Sequence, residues 1–108
     1  MTEQERQETR AKLIEFGFWG VSEPGDPTTY NHDAGILNDR LQTKLAEDVH
    51  LISEPVSARS LTREVVIFHG NQIYKLVAAP NYSEAISLAA LALPEFLRQH
   101  PECPADQR

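Results

Sequence analysis

Four short groupings of histidine, aspartate and cysteine hold the side chains that could bind a metal or transfer protons. They are His32-Asp33, Asp48-x-His50, His69 and His100-x-x-Cys103. A zinc site needs three or four converging ligands, usually with one close pair on a rigid turn or helix. Each grouping is too small for such a set and falls at the end of an expected element, where solvated polar residues are common. The sequence therefore predicts no metal and no cofactor, with a metal or small-ligand site built from the first two groupings as the alternative.

Nucleophilic catalysis has no recognisable motif in this chain. The sequence lacks a Gly-x-Ser-x-Gly elbow, a P-loop, a dinucleotide-binding glycine pattern and a paired-carboxylate signature. Cys103 lacks the ordered, positively charged surroundings that lower the pKa of a thiol. The five glycines are dispersed instead of forming a phosphate cradle. We therefore expect that the protein is not an enzyme.

The composition describes one acidic globular domain. The 108 residues are 41% hydrophobic and 24% charged, which is ordinary for a chain that folds around one modest core. A net charge of -6 argues against direct binding to nucleic acid or to an anionic membrane, because both require a basic face. No apolar run approaches the roughly 20 residues of a membrane helix, and the N-terminus lacks the apolar segment of a signal peptide. One cysteine excludes a disulfide framework, so we expect a soluble cytoplasmic protein.

The N-terminal segment predicts a helix that packs through its second half. Thr2-x-x-Glu5 has the spacing of a capping box. Apolar residues occur only in the last two turns, before Gly17 ends the helix. We therefore expect a single domain over residues 1–108, with frayed or disordered ends at residues 1–10 and 101–108.

An aromatic segment and a long loop follow this helix. Phe16-Gly-Phe-Trp-Gly20 is interpreted either as a stacking surface or as a plug at one end of the core, and burial statistics favour the plug. The loop over residues 22–31 contains two proline turn signals, and loops of this length are enriched in binding roles. The partner-binding surface predicted here comprises Phe18, Trp19, Pro24, Asp26 and Tyr30.

A second helix is expected after the loop. Asn31 or Asp33 can cap it, and we predict that it runs to about Glu47. Its apolar stripe consists of Ile36, Leu37, Leu41 and Leu45. The other side carries Asp39, Arg40, Gln42, Lys44 and Glu47. Residues 49–52 form a possible short strand before Glu54-Pro55.

The clearest pattern is a β-hairpin over residues 63–78. A two-residue Gly70-Asn71 loop joins two apolar strands. The predicted pairs are His69 with Gln72, Phe68 with Ile73, Ile67 with Tyr74, Val66 with Lys75, Val65 with Leu76 and Glu64 with Val77. Because both faces are largely apolar, we expect cover on both sides of the sheet.

A long alanine- and leucine-rich helix follows the hairpin. Asn81-x-x-Glu84 is a capping-box variant, with Ser83 as the alternative cap. Pro94 should kink this helix or begin a new one. The order of strand, tight turn and strand, followed by Ala85-Ile86-x-Leu88-Ala89-Ala90-Leu91, resembles the C-terminal part of the phage ABA sandwich domain family. The resemblance covers roughly the last third of the chain. It implies a layered α+β fold and a phage or prophage origin, without catalytic residues.

These patterns predict an α+β domain whose small antiparallel sheet is covered by helices on both faces. The sheet consists of the hairpin 63–78, which a third strand over residues 49–52 can extend. Unpaired edges of so small a sheet attract a partner strand, so we expect a non-catalytic protein-interaction module that forms a homodimer or docks another protein through its sheet edge. A further alternative is an acidic inhibitor that mimics nucleic acid. That alternative requires clustering on one face of Glu47, Asp48, Glu54 and Glu64.

Overall fold

The computed structural model of the protein describes residues 1–103 as three helices and one three-stranded sheet. The elements are α1 (Glu3–Glu15), α2 (Asn31–Thr43), β1 (Val49–Pro55), β2 (Arg63–His69), β3 (Gln72–Ala79) and α3 (Tyr82–Gln99). The sheet is an antiparallel meander in the order β1-β2-β3. The predicted α+β class is confirmed. The strand predicted over residues 49–52 is β1, and it extends to Pro55. Within residues 1–103, no helix combines the length and the apolar character needed to cross a membrane.

Helix α3 joins the layers of the domain. It packs against all three strands and also contacts α1 and α2. The Asn81 side chain caps it by accepting the Glu84 amide at 3.0 Å, as the sequence predicts. Small side chains on the packed surface let the helix approach the sheet closely, and the fully buried ones include Ala85, Ala89 and Ala90. The helix continues through Pro94 to Gln99, so no separate helix begins at the proline.

The two other helices differ in how well their ends were predicted. The Thr2 capping box and the left-handed Gly17 (φ 83°) of α1 are confirmed. The predicted caps of α2 were wrong, because α2 begins at Asn31 behind Tyr30 and no side chain caps it. Its predicted end was also wrong. The amides of residues 44 and 45 bond three residues back, and this tight turn ends α2 at Thr43 and directs the chain into β1.

The hairpin confirms the predicted pairing only near its turn. Gly70 has a φ of +61° and Asn71 has no positive φ, which fits a type II′ turn with glycine first. The predicted pairs hold from the turn as far as Val66 opposite Lys75. A β-bulge at Leu76 then shifts the register by one residue. Beyond it the observed pairs replace the predicted ones, with Val65 opposite Val77 and Glu64 opposite Ala78.

The two faces of the sheet have different surroundings. The face toward the helices contributes Val49, Leu51, Val65 and Ile67 to the core. The opposite face, called the outer face below, carries Ile52, Val66, Phe68 and Ile73, none of which belongs to the main core cluster. Ile52 is 41% exposed and Ile73 is 61% exposed. A cover on both faces stays a prediction.

The N-terminal end of the chain is held against α3 by two charged contacts. The amino group of Met1 lies 2.9 Å from the buried Glu84 carboxylate, and the Arg6 guanidinium lies 3.6 Å from the same oxygen. Fraying of residues 1–10 stays a prediction. Of the predicted C-terminal tail 101–108, the part beyond Cys103 lies outside the described residues.

Candidate functional site

The edge strands of the sheet are β1 and β3. The geometry of the hairpin determines which of their peptide groups point away from β2. A two-residue loop makes His69 and Gln72 a hydrogen-bonded pair, and bonded and non-bonded pairs alternate along an antiparallel ladder. In β3 the peptide groups of Ile73 and Lys75 therefore point away from β2. These groups form what we call the β3 edge. The corresponding groups on the other side, the β1 edge, belong to Val49, Leu51 and Ser53.

The start of the β1 edge is covered by the chain's own polar groups. The Val49 amide donates to the Ala46 carbonyl at 3.0 Å. The Gln42 side-chain amide donates to the Val49 carbonyl at 2.8 Å and accepts the Leu51 amide at 2.9 Å. Pro55 ends the strand without an amide hydrogen. One glutamine therefore occupies the positions that an added strand would need at the start of β1.

The β3 edge is open and lies beside a groove. Among residues 1–103, no hydrogen bond from another segment reaches the outward peptide groups of Ile73 or Lys75. A groove of about 650 Å³ separates this edge from α3. We call it the β3 groove, and its main lining residues are Tyr74, Lys75, Ala92, Glu95, Phe96 and His100. An extended segment placed along β3 would therefore lie between a strand that offers hydrogen bonds and a partly aromatic wall.

Aromatic rings form one end of the β3 groove. The Tyr74 ring meets Phe96 edge-on at 5.5 Å between centroids, and Phe96 stacks on His100 at 4.5 Å. The Tyr74 hydroxyl donates to the Glu102 carboxylate at 3.1 Å, and His100 Nδ1 lies 2.9 Å from the same oxygen. Burial, reinforced by the neighbouring Glu102, raises the pKa of Tyr74. Tyr74 therefore stays a neutral phenol at ordinary pH and serves this site through its ring and its hydrogen bond.

Cys103 lies under this cluster and is fully buried. Its amide bonds the His100 carbonyl at 2.9 Å, which holds the two residues of the predicted His100-x-x-Cys103 grouping in one turn. Burial, followed by the charge of Glu102, raises the pKa of the Cys103 thiol. A buried, protonated thiol is a weak nucleophile. Its contribution in this structure is to packing.

Within residues 1–103, the remaining histidine groupings meet only where Asp48 approaches His69. His32 and Asp33 lie in the first turn of α2, where Asp33 accepts the Asp26 amide at 2.9 Å. Asp48 and His50 do not lie on one strand, because β1 begins only at Val49. Asp48 precedes the strand and its carboxylate lies 3.3 Å from His69 Nε2 instead. In the described part of the chain, no three such side chains are placed to hold a metal ion together.

The predicted partner-binding loop is divided between core and surface. Phe18 and Trp19 are 7% and 3% exposed and belong to the core cluster. Pro24 and Tyr30 are exposed. Burial raises the pKa of Asp26, yet hydrogen bonds from the hydroxyl and amide of Thr28 and the hydroxyl of Thr29 outweigh it and leave that pKa below its usual value. A partner could therefore reach this predicted surface only through its exposed members unless the core opened.

Arg40 of α2 binds the loop that precedes this helix. The same helix carries Gln42, which bonds the β1 edge. The Arg40 guanidinium bonds both oxygens of Glu23, at 2.8 and 2.5 Å, and donates to the Phe18 carbonyl at 3.0 Å. It also lies 4.8 Å from the centre of the Trp19 ring. The hydrogen bonds from Arg40, followed by the one from the Gly20 amide, lower the pKa of Glu23 to about 2. The pair therefore stays ionised far into the acid range.

The acidic residues singled out in the sequence lie at two ends of the sheet. Glu54 and Glu64 face each other across β1 and β2 on the outer face. The Glu64 carboxylate lies 3.3 Å from the Lys75 ammonium, which offsets part of its charge. Glu47 and Asp48 precede β1 at its opposite end. This placement gives no single acidic face formed by all four.

The contribution of Gln42 to the β1 edge is the feature that the sequence concealed. Gln42 falls on the polar side of the predicted helix, and no motif marks it as the partner of a strand seven residues ahead. The likeness of the last third of the chain to the phage ABA sandwich domain stays a prediction. A search of known proteins finds no matching family model, no similar curated protein and no similar solved structure.

Proposed function

We propose that the protein is a non-catalytic protein-interaction module that binds an extended segment as an added strand on the β3 edge. The observation that carries this proposal is the difference between the two edges. Gln42 and Pro55 obstruct the β1 edge, whereas the β3 edge keeps open peptide groups next to a groove. Strand addition gains affinity from main-chain hydrogen bonds and selectivity from pockets that receive alternate side chains.

The side chains around the β3 edge favour a segment of alternating character. Alternate residues of an added strand would point toward the β3 groove, where Tyr74, Phe96 and His100 offer ring surfaces to apolar side chains. The intervening residues would lie beside Ile73 and Lys75 on the outer face. Ile73 is well exposed there, and the Lys75 side chain is 82% exposed. Contact with either would remove apolar surface from water.

The ionisable groups in and beside the groove favour a binding role over a catalytic role. Tyr74 and Cys103 both have raised pKa values and stay protonated, so neither is an activated nucleophile. Glu95 pairs with Arg98 on the same helix, and Glu102 is engaged by Tyr74 and His100. The β3 backbone adds outward peptide groups that have no partner within residues 1–103.

A displayed library of random extended peptides tests the proposal. The wild-type domain should enrich peptides with alternating apolar residues. Ile73→Pro and Lys75→Pro each remove an outward amide hydrogen, and proline is tolerated at such edge positions, so both should fold yet lose these peptides. The matched control is Ser53→Pro, which removes an outward amide on the β1 edge and should retain them. Circular dichroism and urea unfolding verify that each variant is folded.

The outcomes separate this surface from the loop predicted from sequence. Peptides that bind Ser53→Pro but neither of the other proline variants would support strand addition at β3. Tyr30→Ala should leave peptide binding unchanged. A monomeric domain that enriches no peptides, or peptides that bind all proline variants equally, would overturn the proposal. Loss of binding in Tyr30→Ala alone would transfer the site to the loop.

A further inference from the structure

We infer that the segment that pairs with the β3 edge is β3 of a second copy of the chain, an inference that rests on the proposed strand addition. The two copies would be related by a two-fold axis perpendicular to the sheet. Their strands would run antiparallel and make one continuous six-stranded sheet. A two-fold interface uses the same surface on both copies, so the β3 edge has to complement itself. Its residue pattern meets this requirement in one register.

Three registers are open to an antiparallel β3–β3 pair, and the outward peptide groups distinguish them. Pairing Lys75 with Lys75 of the second copy would place like charges opposite each other, which is unfavourable. Pairing Ile73 with Ile73 of the second copy would bring Lys75 opposite the turn, where no strand continues. Pairing Ile73 with Lys75 of the second copy uses every outward group before the bulge. Both symmetry-related pairs then exchange their N–H and C=O groups.

This register also gives the side chains of Ile73, Tyr74 and Lys75 compatible neighbours. Tyr74 lies on the two-fold axis, opposite Tyr74 of the second copy in a non-hydrogen-bonded pair, where cross-strand side chains are closest. Both rings face the helical side, next to Phe96 and His100. On the outer face the exposed Ile73 packs along the aliphatic stem of Lys75 of the second copy. That contact leaves the ammonium in water.

The helices are compatible with the same two-fold axis. Phe96 is level with Tyr74, because their rings are 5.5 Å apart, so the axis passes beside the middle of the groove-lining part of α3. The two copies of α3 then run antiparallel on the same face of the joined sheet. Ala92, one turn before Phe96, faces the end of the second helix near Gln99 of the second copy. The small alanine side chain leaves room for this approach. The β3 groove would become the space shared by the two helices.

Sedimentation of the purified protein over a range of concentrations is the first test. The wild-type chain and Ser53→Pro should form dimers, while Ile73→Pro and Lys75→Pro should raise the dimer dissociation constant at least about tenfold, because each proline removes both symmetry-related bonds of one type. A wild-type chain that stays monomeric at its highest soluble concentration overturns the inference. So does a dimer that both proline variants retain.

Cysteine cross-linking tests the register. Tyr74→Cys should form a disulfide between copies under mild oxidation, since paired positions on adjacent strands have the required Cα separation. Ile73→Cys and Lys75→Cys should not cross-link alone, whereas the double variant should, with Tyr74 intact. Cys103 is buried beside Tyr74 in the wild-type chain, so every variant also carries Cys103→Ser and only the introduced thiols can react. Cross-linking of Ile73→Cys alone, or failure of both Tyr74→Cys and the double variant in a dimeric protein, overturns this register.

The two proposals fail in different ways. A monomer that binds peptides, and loses them in the β3 proline variants, would overturn the second-copy inference. Strand addition would remain, with a segment of another protein as the occupant. A monomer that binds no peptide would remove both. A dimer that releases its second copy when an edge-dependent peptide is added supports both, because peptide and second copy then compete for the same hydrogen-bonding groups.

Discussion

The β1 edge and the β3 edge belong to the same three-stranded sheet, yet their outward peptide groups differ in the hydrogen-bond partners that the chain provides. On β1 the side chain of Gln42 and the carbonyl of Ala46 satisfy both outward groups of Val49 and the outward amide of Leu51. On β3 the outward groups of Ile73 and Lys75 open onto solvent beside α3. An unprotected edge is an aggregation hazard that folded proteins ordinarily obstruct with short strands, charge, proline or covering segments. The protection of one edge beside the exposure of the other indicates a specific use for the exposed one.

The helices explain how the difference arises. Helix α2 ends at Thr43 in a tight turn, which leaves Gln42 alongside the first residues of β1. Helix α3 packs beneath the sheet and contacts all three strands without closing over the backbone of β3. The hydrophobic core thus fixes both arrangements. The edges differ because α2 ends beside β1, whereas α3 passes next to β3 without covering its backbone.

The largest effect expected from a single substitution distinguishes inward from outward amides on β3. Tyr74→Pro removes an amide hydrogen that bonds β2 and should cost about 3 kcal/mol or more, a large share of the roughly 5–15 kcal/mol that stabilises a small domain. Ile73→Pro removes an outward amide and should cost less than about 1 kcal/mol. Urea unfolding measures both. Equal losses would show that the amides of the two residues are not divided between β2 and the open edge.

The next largest effect opens the protected edge. Gln42→Ala removes two hydrogen bonds and leaves the Val49 carbonyl and the Leu51 amide without their side-chain partner, which should cost about 2 kcal/mol. Gln42→Glu still accepts from Leu51 but cannot donate to Val49, so its loss should be smaller. Urea unfolding gives the free energies. Light scattering should show new self-association for Gln42→Ala that persists when Lys75→Pro is added. An alanine variant as stable and as dispersed as wild type would contradict protection of β1 by Gln42.

The parts of the fold that local pattern determines were predicted from the sequence. The Gly70-Asn71 turn and the apolar residues on both sides of it set the pairs nearest the turn, because turn geometry fixes register over a few residues. The bulge at Leu76 was missed. It inserts one residue without a glycine or proline to mark it, and its effect appears only where the strands pair beyond it.

The candidate site was less accessible to sequence reasoning because it depends on contacts between elements. The presence of free edges could be predicted from the small number of strands, but their unequal protection depends on where α2 ends and where Gln42 then points. The aromatic segment illustrates the same limit. Phe18 and Trp19 are sequence neighbours of an exposed loop, yet Arg40 and the core hold them inside.

Lowering the pH should weaken the Glu23–Arg40 contact between the loop and α2 before it affects the hairpin. The pKa of Glu23 is lowered from 4.5 to about 2, so the stability contributed by its ionised form is complete above pH 4.5 and is lost as the pH falls toward 2. Urea unfolding of wild type and Glu23→Gln over this window should give free energies that converge as the pH falls. Exchange protection of the Leu51 amide relative to the Tyr74 amide should fall in parallel. A constant gap between wild type and Glu23→Gln across the window would contradict the stabilising role of the Arg40 pair.

The smallest effect compares one substitution on the two sides of the outer face. Ile73 and Ile52 are both partly exposed, so replacing either by threonine removes little buried apolar area and should cost under about 1 kcal/mol of folding stability. Their effects on self-association should nevertheless differ. In the β3–β3 pair Ile73 packs against Lys75 of the second copy, whereas Ile52 on β1 lies two strands away. Sedimentation should therefore show a several-fold weaker dimer for Ile73→Thr and an unchanged dimer for Ile52→Thr. If instead Ile52→Thr weakened the dimer as much as Ile73→Thr, the copies would be meeting through the outer face and not through the edge. The same pair of variants thus separates face-to-face from edge-to-edge assembly while leaving every backbone hydrogen bond in place.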